Sequence, residues 1–325
     1  MLKFSFIAIL AFLTAVSCQR VEEPLVGNDL PRVVVTTSII GDIVSNIGAN
    51  DIRLDVLIPA GSDPHTVIFR PADMALAARA NLLFVNGAGL EGNLGRLIDS
   101  VRDRNRMIAL SDAMPGQEEI CDHEHDAHDH HHHGHHHHDH DHHHHHGAVD
   151  PHFWMDPHNV MIWADTIAQA LSELQPENQM VFEQRAAAYQ ESLRELDAWI
   201  TQRAEQVPQE RRKLVTDHKM MGHFASRYDF HQAGVIIPSF DTSSQPAART
   251  LAQLVDQIAA HEVPAIFVGE SSNHAVARQL ARDAGVELVV LPLESLTDAD
   301  GPAPDYLSYM RHNIGTIIQY LSGLN

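Results

Sequence analysis

Short apolar runs alternate with helical patterns along both halves of the chain. The runs RVVVTTSII, LDVLIP, LLFVN and MIAL stand in the first half, and KLVTDH, QAGVII, AIFVGE and ELVVLP stand in the second. Runs of about four to six residues between helices are typical of parallel strands that are covered on both faces. We therefore predict an α/β fold with two parallel-sheet lobes, an N-terminal lobe at residues 32–175 and a C-terminal lobe at residues 208–325.

One long helix is predicted between the two lobes, at residues 176–207. It begins at Pro176, a residue that favours the first helical turn, and an apolar stripe at helical spacing runs along it. The stripe consists of Tyr189, Leu193, Leu196 and Ile200. A helix of about 30 residues is about 45 Å long, more than one small α/β lobe spans. We therefore expect it to join both lobes and to leave a cleft between them, which is where such sheets bind ligands.

The first residues have the pattern of a secretory signal. The apolar run from Phe4 to Val16 is too short to span a bilayer as a helix but has the length of a signal-peptide core. Cys18 follows small residues, as in bacterial lipoprotein signals, so residues 1–17 are predicted to be removed and Cys18 to carry a lipid. Ordinary secretion without an anchor is the alternative. Residues 18–31 are interpreted as a tether. The protein is therefore expected in the periplasm or on the outer cell surface, with the lipid as its membrane contact.

A tract rich in histidine lies in the middle of the chain. Residues 128–146 read HDHHHHGHHHHDHDHHHHH, which is internal and interrupted by acidic residues, unlike a purification tag. Because such a segment cannot pack, loop 121–146 is predicted to be disordered without metal and to collect cations as an accessory to a selective site elsewhere. Its 17 histidines are His123, His125, His128, His130, His131, His132, His133, His135, His136, His137, His138, His140, His142, His143, His144, His145 and His146. Cys121 would either supply a thiolate ligand to these cations or remain a free thiol.

Three other histidines stand in settings that suggest a metal site. His65 follows the run LDVLIP, His152 follows the histidine tract, and His218 ends the run KLVTDH. A single histidine in such a place is usually a hydrogen-bonded loop residue, but three of them beside a metal-attracting tract favour metal binding. The formal charge of −21 suits cations and argues against nucleic acid, which requires clustered lysine and arginine.

The sequence resembles the zinc/manganese-binding solute-binding proteins of ABC importers, the ZnuA-type lipoproteins. The matching segments are VVVTTSIIGDIVSNIG, GSDPHTVIFRP, DPHFWMDPHN, VTDHKMMGHFASRYDF, AIFVGESSNHAVARQLARDAGV and DYLSYMRHNIGTIIQYL. They follow the order of the family and cover nearly the whole chain after the signal. The resemblance implies that the protein binds one metal ion in the cleft and delivers it to an ABC importer permease. We expect the protein to be a monomer.

The resemblance also implies a set of ligands. His65, His152 and His218 match three of the family's ligands, and Glu294 matches the fourth best, with Asp298 and Asp300 in the same loop as alternatives. Two further residues are less clearly placed by the resemblance. Glu270, which ends the run AIFVGE, is predicted either to orient a ligand histidine or to make ordinary hydrogen bonds. His223 stands where the family usually has tyrosine, and is predicted to face outward rather than to support the ligands.

Three imidazoles and one carboxylate suit Zn²⁺, which prefers four nitrogen, sulfur or oxygen ligands. Manganese prefers more oxygen ligands, whereas nickel also accepts imidazole, so a manganese- or nickel-type protein is an alternative. A metal buffer or adhesin without a transporter is another. A zinc hydrolase is disfavoured, because the chain has no HExxH motif and four protein ligands would close the coordination sphere.

Overall fold

The fold is that of a computed structural model, which describes residues 30–92, 94–101, 106–115, 149–240, 242 and 246–323. The predicted signal peptide 1–17, the lipidation site Cys18 and nearly all of the tether 18–31 lie outside these residues. So do Cys121 and the histidine tract 121–146.

The first lobe contains a four-stranded parallel sheet in the order β2-β1-β3-β4. Val33 of β1 pairs with Leu54 on one side and Leu82 on the other. The strands are β1 (Arg32–Val35), β2 (Arg53–Val56), β3 (Leu82–Val85) and β4 (Met107–Ala109), and the helices are α1 (Ser38–Gly48), α2 (Pro71–Ala78), α3 (Leu94–Ser100) and α4 (Pro157–Leu174). The central strands β1 and β3 are almost entirely buried, because helices cover both faces of a parallel sheet.

The long helix α5 (Gln179–Ala204) follows and has 26 residues, or about 39 Å at the usual rise. The predicted apolar stripe is buried along it. Residues 176–178 form a 3₁₀ turn instead of the first α-helical turn, so the α-helix is shorter than predicted at both ends. The prediction of a long helix between two sheets is confirmed.

The second lobe repeats the strand order of the first, as β6-β5-β7-β8, and all its pairs are parallel. Its strands are β5 (Lys213–Thr216), β6 (His231–Val235), β7 (Ala265–Gly269) and β8 (Glu287–Leu291), and its helices are α6 (Gly222–Tyr228), α7 (Ala248–His261), α8 (His274–Ala284) and α9 (Tyr306–Ser322). The predicted fold class, two parallel-sheet α/β lobes joined by a long helix, is confirmed. The boundaries proposed for the lobes stay a prediction.

One hydrophobic cluster runs through both lobes. It includes Val33 and Phe84 of the first sheet, Leu214 and Phe267 of the second, and the buried faces of α4, α5 and α9. Smaller clusters lie on the outer face of each sheet. The two sheets therefore share a continuous core. Within the part of the chain that is described, no helix combines the length and apolar character needed to span a membrane.

Candidate metal centre

Four side chains that the sequence singled out meet at the carboxyl ends of the strands. His65 lies in the loop after β2, His152 just before α4, His218 just after β5, and Glu294 in the loop after β8. Each offers one ligand atom within 4.8 Å of the others, and all four are buried. Each lobe supplies two of the four, so the cluster joins the lobes.

The separations between the four groups fit a small tetrahedral ion. The Nε2 atom of His152 lies 3.1 Å from Nε2 of His65 and 3.2 Å from Nε2 of His218. Glu294 approaches the other two histidines, with Oε1 3.4 Å from Nε2 of His218 and Oε2 3.8 Å from Nε2 of His65. A tetrahedral ion with ligand distances of about 2.0–2.1 Å separates its ligand atoms by about 3.3 Å. The donor set therefore fits a metal ion held by three nitrogens and one oxygen.

The second ring nitrogen is occupied in His152 and in His218. Nδ1 of His152 lies 2.7 Å from Oδ1 of Asp150, and Nδ1 of His218 lies 2.9 Å from Oδ1 of Asp217. The His65 ring forms a hydrogen bond with the backbone of Leu90. A carboxylate only accepts, so Nδ1 of His152 and His218 carries the proton and Nε2 is left to point a lone pair at the centre. Such contacts fix both the tautomer and the orientation of a ligand imidazole.

Asp217 is held by several donors of the second lobe. Its carboxylate accepts from the amides of His218 and Gly269, at 2.8 Å each, and from the hydroxyl of Ser272. Burial raises the pKa of Asp217, but the hydrogen bonds from His218, Ser272 and Gly269 outweigh it and hold the pKa below its usual value. Asp217 is therefore ionised and rigidly placed behind His218.

Asp150 has the same relation to His152. Its Oδ1 accepts from the His152 amide at 3.0 Å as well as from the ring. The first turn of α6 packs against this carboxylate so closely that a Cβ at Gly222 would collide with it. The pKa of Asp150 is lowered, because the hydrogen bond and charge of His152 outweigh the effect of burial.

Residues of the loop after β3 form hydrogen bonds with the segment that carries His152. The side-chain amide of Asn86 donates to the carbonyl of Pro151 at 2.9 Å, next to His152. Glu91, which is fully buried, accepts from the hydroxyl of Thr36 at 2.6 Å and from the amide of Asn86 at 2.8 Å. This chain of contacts ties the end of β1 to the segment that carries His152.

The electrostatics differ among the four groups. Burial lowers the pKa of His65 to about 2, with repulsion from His152 and His218 adding to it. Burial also lowers the pKa of His152. Glu294 is fully enclosed, and burial raises its pKa to about 8. Burial would lower the pKa of His218, but the charges of Glu294 and Asp217 outweigh it and raise the pKa to about 9. Without metal, the coupled Glu294–His218 pair therefore retains a proton at neutral pH.

The carboxylate of Glu294 is the least satisfied group in the centre. Both of its oxygens are buried, and neither has a hydrogen-bond partner among the described residues. A buried carboxylate normally has hydrogen bonds or a cation to offset its lost hydration. Two unpartnered oxygens beside three imidazole nitrogens therefore indicate a cation at this point.

The alternatives for the fourth ligand lie elsewhere. Asp298 and Asp300 are exposed in the loop beyond Glu294. Glu270 is also exposed at the end of β7, so the structure corrects the prediction that it orients a ligand histidine. Gly269, just before it, contributes its backbone amide to Asp217 instead. A carboxylate one residue beyond a strand can point either toward the metal cluster or into solvent. The sequence pattern does not reveal which of the two directions it takes.

The sequence reasoning missed two carboxylates that contact the rings of the clustered histidines. Asp150 stands two residues before His152 and Asp217 one residue before His218, so both were visible as Asp-Pro-His and Asp-His. His223 was predicted to face outward, but its Nε2 lies 3.0 Å from the carbonyl oxygen of Asp150 and its ring packs 4.7 Å from that of Phe153. It therefore braces the segment that carries His152.

The chain is similar to known metal-binding proteins over most of its length. Residues 33–320 match the family model ZnuA, described as "Zinc-uptake complex component A periplasmic". The chain is 30% identical over 301 residues to the zinc-binding protein TroA of Treponema pallidum (strain Nichols), covering 90% of this chain and 89% of that protein. It is 27% identical to the manganese-binding lipoprotein MntA of Halalkalibacterium halodurans, over 98% of each chain.

The solved structure of the periplasmic zinc-binding protein TroA from Treponema pallidum superposes with a TM-score of 0.76 at 28% sequence identity, covering 90% of this chain and 99% of that one. The family match spans most of the chain, and the fold agrees over the same range. The chain therefore belongs to the ZnuA family, whose members are solute-binding proteins of metal importers and not enzymes.

Proposed function

We propose that the protein captures Zn²⁺ outside the cytoplasm and delivers it to the permease of an ABC importer. The observation that carries the proposal is the convergence of three Nε2 atoms and the unpartnered carboxylate of Glu294. Four of the separations between them are 3.1 to 3.8 Å, and all lie within 4.8 Å. His65, His152, His218 and Glu294 would hold the ion, which is the cargo of the protein. Asp150 and Asp217 would keep two of the imidazoles in place.

The chemistry of the ligands favours zinc over manganese. One relative is named as zinc-binding and another as manganese-binding, so similarity to these relatives does not determine which metal this protein binds. Three imidazoles and one carboxylate give a nitrogen-rich set of four, whereas Mn²⁺ prefers oxygen ligands and higher coordination numbers. A manganese carrier is the second candidate, because Glu294 could bind through both oxygens and so supply a fifth ligand atom.

The histidine tract is proposed to act as a collector. The imidazoles and carboxylates of the tract would bind several cations weakly. Because the tract directly precedes residue 149, it would keep these cations at high local concentration near the cluster. We further propose that Cys18 carries a lipid that anchors the protein on the outer side of a membrane, and that the protein acts as a monomer.

Removal of residues 122–146 separates the site from the collector. We expect the shortened protein to bind one zinc ion with the affinity of the tight site of the full chain, because the four ligands are held by the folded lobes. The full chain should bind several more ions weakly through its 17 tract histidines. Competition titration with a chromophoric chelator measures both. If tight binding disappears with the tract, the protein is a buffer and the four residues are not its site.

Zinc affinity is expected to fall as the pH is lowered. Ligands must lose their protons before metal binds, and the pKa values of Glu294 and His218 are raised to about 8 and about 9. At a pH below these pKa values, zinc must displace a proton in order to bind. The zinc affinity should therefore drop about tenfold per pH unit for each proton displaced, and we expect this drop between about pH 8 and pH 6. His65, with a pKa of about 2, adds no such cost.

Competition titrations across this pH range, with proton release followed in weakly buffered solution, measure the effect. The variant Glu294→Gln serves as the comparison, because it lacks one of the titrating groups and should show a smaller slope. An affinity that does not change over the range would contradict the assignment of this pair as ligands.

A further inference from the structure

The hydroxyl of Tyr309 lies between two loops that each carry a member of the metal cluster. Tyr309 belongs to α9, and its side chain is fully buried. The hydroxyl donates to the carbonyl oxygen of Leu293 at 2.6 Å and accepts from Nε1 of Trp154 at 3.1 Å. The hydroxyl also lies 3.3 Å from Sδ of Met155, the residue after Trp154. The bonding capacity of one buried hydroxyl is thus filled from three directions.

These contacts fall next to the cluster in sequence. Leu293 immediately precedes Glu294, which the second lobe supplies. Trp154 stands two residues after His152, which the first lobe supplies. A single oxygen atom therefore links the backbone at one ligand with the side chain beside another, across the boundary between the lobes.

Glu294 depends on such backbone contacts, since its carboxylate has no hydrogen-bond partner among the described residues. Its segment is held instead by α9, where Asn313 donates to the carbonyl of Pro292 at 3.0 Å and Tyr309 donates to that of Leu293. Helix α9 thus holds the backbone just before Glu294. The backbone just after it is held by the first lobe, where Ser38 accepts from the amide of Leu296 at 3.1 Å and the amide of Gly61 donates to the carbonyl of Leu296 at 3.0 Å.

We propose that the Tyr309 hydroxyl is a positioning group that sets the spacing between Glu294 and His152, and thereby favours a four-coordinate ion over larger coordination numbers. The proposal rests on the function proposed above, because it assumes that these residues bind the metal. Tyr309 does not touch the ion. It acts by holding two ligand loops of different lobes at one separation.

The test compares Tyr309→Phe with a matched loss of a buried hydroxyl. Tyr228 is also buried, and its hydroxyl donates to Asp197 of α5 at 2.8 Å. Neither residue belongs to a loop that carries a ligand. Both variants remove one hydroxyl and keep the ring. We expect Tyr309→Phe to weaken zinc binding by about 10- to 100-fold, as when groups that orient metal ligands are removed. Tyr228→Phe should leave zinc affinity unchanged.

A spectroscopic measurement separates positioning from simple destabilisation. With Co²⁺ as the probe, the visible absorption of the wild-type protein should be intense, as for four-coordinate cobalt. Tyr309→Phe should weaken and shift that absorption, and Tyr228→Phe should preserve it. If both variants lower the melting temperature of the metal-free protein but keep the wild-type cobalt spectrum and zinc affinity, the positioning role is wrong.

The variant Trp154→Phe provides a second test, since it removes the donor Nε1 and keeps an aromatic ring in the core. If the two loops are coupled through the hydroxyl, Trp154→Phe and Tyr309→Phe should have effects on zinc affinity that do not add. Additive effects would overturn the coupling. If the wild-type protein has no tight zinc site, the proposed function is wrong. If the wild-type protein has a tight site and Tyr309→Phe leaves its affinity unchanged, only the positioning role is wrong.

Discussion

Replacement of His152 by alanine is expected to weaken zinc binding by more than about 100-fold, the upper end of what the loss of a supporting group alone costs. His152 is the shared neighbour of the other two histidines, with its Nε2 3.1 Å from His65 and 3.2 Å from His218. Its loss removes one of the four proposed ligands and also leaves Asp150 without the ring that it contacts. Competition titration of the protein lacking residues 122–146 measures the change without the weak sites of the tract.

His158→Ala is the matched control. The chain has three Asp-Pro-His tripeptides, which end at His65, His152 and His158. The amide of His158 donates to Asp156 at 2.8 Å, as the amides of His65 and His152 donate to Asp63 and Asp150. The side chain of His158 is exposed and lies outside the cluster. Zinc affinity should therefore survive this change. Equal losses in both variants would mean that the tripeptide, and not the position of His152, determines binding.

Saturation with zinc is expected to raise the melting temperature by roughly 8 °C or more. An ion that binds only the folded protein adds about 4 kcal/mol to the free energy of unfolding at a free concentration about 1,000 times its Kd. For a domain of this size, about 2 °C follows from each kcal/mol. Because each lobe supplies two ligands, unfolding of either lobe releases the ion. Thermal melts with zinc, and with zinc followed by a chelator, measure the shift.

The shift should vanish in His152→Ala and persist in the protein lacking residues 122–146. The same melts with Mn²⁺ address the second candidate function, since a manganese carrier would be stabilised more by manganese than by zinc at matched concentrations. A shift that requires the tract would place the strong binding outside the lobes and contradict the proposed site.

The fold could be predicted from the sequence because burial on both faces of a parallel strand leaves a clear apolar run. The runs VVV of β1 and LLFV of β3 predict strands in the interior of a sheet, and both strands are central in the structure. The stripe from Tyr189 to Ile200 likewise predicted which face of α5 is buried. His65, His152 and His218 were found together because the carboxyl ends of parallel strands meet at one edge. Their role as ligands remains a prediction.

The supporting carboxylates could not be chosen in the same way. Asp217, one residue beyond β5, points at His218, whereas Glu270, one residue beyond β7, points into solvent. The difference depends on loop backbone angles, which no short-range pattern in the sequence determines. The link through Tyr309 was also hidden, because it joins residues 155 positions apart in the chain.

The continuous core that runs through both sheets bears on how cargo leaves the protein. Two bodies connected by a thin linker can swing apart about a hinge, but here the packed faces of α4, α5 and α9 extend across both lobes. Opening such a body would expose buried apolar side chains to water, at a cost comparable to partial unfolding. Departure of the ion should therefore involve small displacements of the loops that carry His65, His152, His218 and Glu294. We expect a transporter to release the ion by displacing these loops, while the packed helices and sheets of both lobes keep their arrangement.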